Sequence, residues 1–80
     1  MASDTPRALP EATQMAFAAI EASGNIIVTS DLPIGTLVEL AEAAARWGAS
    51  MLLRDSRRIA LADLERVARA GRGHVTFDLT

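Results

Sequence analysis

Three helix-compatible stretches of this chain each stop at a glycine, in Ala22-Ser23-Gly24, Arg46-Trp47-Gly48 and Ala70-Gly71. Within a few residues of each an apolar run follows: Ile26-Ile27-Val28, Met51-Leu52-Leu53, and Val75 with Phe77 and Leu79. The left-handed backbone turn just past a helix end strains any residue that carries a Cβ, so these glycines predict helix C-caps that feed strands. The element order becomes α-β-α-β-α-β. Strands separated by helices pair in parallel through right-handed crossovers. The expected fold class is α/β, a small three-stranded and mainly parallel sheet with three helices.

Residues 1 to 8 are polar, contain Pro6 and show no period, so they read as a flexible N-terminal tail. Residues 9 to 80 read as a single small α/β domain. Pro10 suits a first helical turn, ahead of a helix over 11 to 23 whose inward side carries Met15, Ala16, Ala19 and Ile20. The second helix, over 33 to 47, has the clearest stripe: Leu37, Leu40, Ala41, Ala44 and Trp47, with Glu39, Glu42 and Arg46 opposite. Ser30 and Asp31 are capping types before it, and Glu42 and Arg46 stand in the favourable order for a helical ion pair. The third helix, over 61 to 70, turns Leu61, Leu64, Val67 and Ala68 inward. The first two strands are continuous apolar runs, the pattern of strands covered on both faces. The third alternates, which suits an edge. The spacing between the glycines is nearly even, yet side-chain identities do not recur from unit to unit, so no solenoid array is expected.

An 80-residue chain buries only about two-thirds of the surface its unfolded form exposes, and much of its apolar half is alanine, which adds little area. Burial against a partner is therefore expected. With no cysteine there is neither a disulfide framework nor a thiolate metal site. The opening residues lack the basic and apolar regions of a secretory signal, and no apolar run is long enough to span a membrane. A cytoplasmic protein with no membrane partner is expected. Every basic side chain except His74 is arginine, which together with the alanine content suggests a bacterial coding bias.

Charge is unevenly placed. Residues 1 to 45 set one arginine against six carboxylates, whereas residues 46 to 77 set seven arginines against three. Such asymmetry steers a basic face toward an acidic partner, or one copy toward another head to tail.

In open parallel sheets ligands bind beyond the carboxyl ends of the strands. That edge would display Ser30 and Asp31 after the first strand, Arg54, Asp55, Arg57 and Arg58 after the second, and Asp78 after the third. Asp31, Asp55 and Asp78 are the candidates for holding Mg²⁺, although capping, pairing with arginine and simple hydration account for each of them separately. Arg54, Arg57 and Arg58 form the best binding signal, because guanidinium groups grip phosphates in bidentate fashion. Nucleic acid is disfavoured by the acidic balance and the scarcity of aromatic side chains for stacking. No dinucleotide fingerprint follows the first strand, and a P-loop needs a lysine that this chain lacks. His74 starts the third strand while Ser30 ends the first, about 17 Å apart along a five-residue strand, so no catalytic triad forms.

From Thr29 to Leu79, a serine before a helix ending Trp47-Gly48-Ala49, the strand Met51-Leu52-Leu53 and a helix ending Ala70-Gly71 are together similar to the carboxyl half of STAS domains. That resemblance implies a regulatory partner-binding domain with Ser30 at the regulatory serine's place. The Asp-Ser-Ser-Gly turn of that family reads Thr29-Ser30-Asp31-Leu32 here, and the family's early strands are missing. The residues together point to a non-catalytic interaction module without a cofactor, which recognises a protein partner or a second copy as a homodimer. Arginine-mediated binding of an anion or nucleic acid is the alternative.

Overall fold

The structure is a computed structural model and describes residues 11–80. The expected tail at residues 1 to 8 and the helix-starting Pro10 lie outside the described residues. The elements are α1 (Glu11–Glu21), β1 (Asn25–Thr29), α2 (Ile34–Trp47), β2 (Ser50–Arg54), a one-turn 3-10 segment (Ser56–Arg58), α3 (Leu61–Gly71) and β3 (Val75–Phe77). The sheet has the order β1-β2-β3 with both pairings parallel, so the α/β class and the α-β-α-β-α-β order are as the glycine punctuation predicts. Each helix-strand unit therefore lies beside the next, in chain order.

The register defines which side chains share a face. Ile26, Met51 and Val75 stand in one row and Val28, Leu53 and Phe77 in another, and both rows pack into the core beneath the helices. α2 lies between α1 and α3 and supplies Leu37, Leu40, Ala41 and Ala44, all buried. Ile20 of α1 and Val67 of α3 close the core on its two flanks. The intervening row, Ile27, Leu52 and Thr76, points to the other face. Nothing among the described residues covers it: Ile27 is 61% exposed and Leu52 half-buried. The expectation of strands covered on both faces is thus corrected, because successive crossovers of one hand lay their helices on the same side.

Three other expectations fail for a related reason. Trp47 (46% exposed), Leu61 (73%) and Met15 (64%) are not buried. Trp47 is the last residue of α2 and Leu61 the first of α3, where the helices reach past the ends of short strands. Met15 lies on the flank of α1 beside β1, where no further strand of the described residues receives it.

Of the three punctuating glycines, only Gly48 (φ 71°) adopts the left-handed turn. At the other two helix ends that turn falls on Ser23 (φ 64°) and Arg72 (φ 49°). The N-terminus of α2 likewise differs from expectation: its capping position is Pro33, with no side-chain cap bond, and Ser30 and Asp31 belong to the preceding turn.

Candidate functional site

At the carboxyl edge of the sheet the three strand ends are stitched together through the backbone. The Ser30 N–H donates to the Arg54 carbonyl (3.2 Å), the Asp78 N–H to the Leu53 carbonyl (2.9 Å) and the Ser56 N–H to the Asp78 carbonyl (3.1 Å). Ser56 is buried, and its hydroxyl donates to the Leu53 carbonyl at 2.6 Å, which occupies it structurally. Asp55 takes the left-handed conformation (φ 57°), one that a short polar side chain tolerates, and so reverses the chain after β2.

The three aspartates do not converge. Among the described residues no three acidic or imidazole side chains gather as a metal site. Strand order is the reason: β2 separates the ends of β1 and β3, which are about 10 Å apart across the sheet. Asp78 instead accepts from the Thr80 hydroxyl (2.5 Å) and the Thr80 N–H (3.0 Å). These two bonds, joined by the charge of Arg54 and opposed by partial desolvation, hold its carboxyl below the ordinary aspartate range. Thr80→Ala removes the hydroxyl and is expected to raise that pKa, as followed by carboxyl-carbon NMR. An unchanged titration would show that the hydroxyl does not control it. Any stability carried by this depressed group is present above the unfolded-state pKa and is lost as pH falls through the folded one.

The arginines divide into two sets. Arg54, Arg57 and Arg58 are exposed at the carboxyl edge, as the sequence suggests, with Ser30 half-buried nearby. Arg46, Arg69 and Arg72 line a groove of about 740 Å³ at the opposite edge, with Glu42, Ala45, Ala70 and His74. The only ion pair among the described residues is Arg66 with Asp63 at 3.5 Å, so neither the Glu42–Arg46 pair nor an Asp55–arginine pair forms. His74 is half-buried, and its Nδ1 lies 2.7 Å from the Ala49 carbonyl. A carbonyl only accepts, so Nδ1 carries a hydrogen in this contact. Sequence reasoning missed this groove, because its arginines come from the ends of two different helices. Cations there also offset the negative ends of the helix dipoles, a structural role that needs no ligand.

A second groove, about 480 Å³ and largely apolar, runs along the free edge of β1 between Ala12, Met15 and Ala19 of α1 and Ile26 to Thr29. The two lateral ends of the molecule differ in charge. Residues 11 to 31, which make the β1 end, carry three carboxylates and no arginine; residues 57 to 77, which make the β3 end, carry five arginines and two carboxylates. No helix of the described residues is long and apolar enough to cross a membrane. Comparison with protein-family models, with curated proteins and with solved structures gives no match.

Proposed function

We propose that this protein is a non-catalytic interaction module, which receives a protein partner, a second copy included, on surfaces that its small sheet leaves open. The observation that carries the reading is Ile27, a β-branched side chain at the middle of β1, mostly exposed on a sheet face over which no helix of the described residues lies. Beside it Leu52 is only half-buried, so the uncovered face has an apolar centre rimmed by Asn25, Ser50, Thr29 and Arg54. An apolar centre with a polar rim is the composition of protein interfaces.

The test compares wild-type bait with Ile27→Asp in a pull-down from the source cell. The substitution places a charge on the open face without touching the core. A partner retained by the wild type and lost to Ile27→Asp supports the reading, and capture that ignores the substitution overturns it.

A further inference from the structure

We infer that this chain also binds a second copy of itself head to tail: the β3 edge of one molecule pairs in parallel with the β1 edge of the next. The inference goes beyond the reading above, because it concerns the two free strand edges and leaves the face that carries Ile27 uncovered.

In a parallel ladder alternate residues turn both their N–H and C=O to the same side. On β1, Ser30 donates toward β2, so Asn25, Ile27 and Thr29 turn theirs to the free edge. On β3, the His74 carbonyl and the Asp78 N–H bond β2, so Val75 and Phe77 turn theirs outward. Parallel pairing of these two edges sets Val75 opposite Ile26 of the second copy and Phe77 opposite its Val28. Each core row therefore continues across the junction: Ile26, Met51 and Val75 meet the next Ile26, and Val28, Leu53 and Phe77 meet the next Val28. Ile26, Val75 and Phe77 pack on the core yet stay half-buried, and a neighbouring strand is what they lack.

Charge favours the same docking. The β1 end is purely acidic and the β3 end is net basic, so unlike ends meet in head-to-tail docking, whereas joining two β1 ends sets acid against acid. The helix-strand units already stack in chain order, and the next copy's α1 and β1 would simply take the following place in that order. Because the two docking edges are different surfaces, the contact is heterologous and each added copy leaves another edge open.

Sedimentation of the full chain from micromolar to millimolar concentration tests this, together with Ile27→Pro. Proline at position 27 removes the N–H that faces the free edge, a placement that edge strands tolerate, whereas Ile27→Ala removes the side chain but keeps that N–H and should assemble as the wild type does; circular dichroism checks that both variants fold. The wild-type mass should rise with concentration past the dimer and fall as salt rises. Ile27→Pro alone should stay monomeric, yet when mixed with wild type it should cap growing assemblies through its intact β3 edge and lower their mean mass. Glu11→Arg with Glu21→Arg, both exposed, should weaken wild-type-like growth and regain it when mixed with Arg66→Glu plus Arg69→Glu. A mass that plateaus at the dimer and is unaffected by added Ile27→Pro overturns head-to-tail docking in favour of a symmetric pair. A monomer at every concentration also overturns it, and the interaction reading then survives only if a foreign partner is still captured in an Ile27-dependent way.

Discussion

Leu40→Ala is expected to destabilise the fold by about 2–4 kcal/mol, as buried leucine truncations do. Leu40 lies at the middle of α2, is fully buried, and sits in the helix that the other two flank. Truncation removes the burial of its branched end and leaves a cavity that Ala41 and Ala44, short side chains on the same face, cannot fill. A domain of this size has total stability on the order of 4–12 kcal/mol, so the loss is a large fraction of it. Melting should fall by about 10–30 °C in a chain of this length. Dilute solution is required, because association with another copy would add its own binding free energy to the apparent stability. Leu61→Ala is the control: at an exposed first helical position it should change stability by less than about 0.5 kcal/mol. Equal effects from the two would place α2 wrongly.

The parallel α/β order was legible because each helix end and each apolar run carries its own local signal, from the stripe Leu37, Leu40, Ala41 and Ala44 to the run Met51-Leu52-Leu53. What lies over a strand is not local. Ile26-Ile27-Val28 reads the same whether Ile27 meets a second helical layer or water, and only the one-sided packing of the helices decides for water. Helical periodicity likewise places Trp47 and Leu61 on the inward stripe, but it cannot say that the strands beneath end before those positions are reached. The aspartates fail as a group for a topological reason, since three strand ends are equivalent in sequence while β2 stands between the other two in space. The arginines of the amino-edge groove show the converse. Arg46 and Arg72 are far apart in the chain, and the side-by-side packing of α2 and α3 unites them.

Gly71→Ala should also destabilise, although helix propensity alone argues the other way. Gly71 is the last residue of α3, it is buried, and alanine is favoured over glycine within a helix by about 1 kcal/mol. A Cβ at this position would, however, run into Cγ2 of Val75, with the Val75 Cβ 3.3 Å and the Ala41 Cβ 3.5 Å away. Valine is stiff about χ1 and cannot swing aside as a longer side chain would. Relief requires moving the start of β3 or the end of α3, and the Gly71 carbonyl accepts the His74 N–H at 2.8 Å in the tight connection between them. The overpacking cost of about 1–3 kcal/mol should therefore outweigh the propensity gain. A double-mutant cycle isolates the cause: in a Val75→Ala background the obstructing methyl is gone, and Gly71→Ala should become neutral or stabilising. The same loss in both backgrounds would mean that glycine is needed there for its backbone and not for the space it leaves to Val75. By loosening the seat of Val75 at the β3 edge, the single substitution should also weaken concentration-dependent association, which sedimentation of the same samples would report.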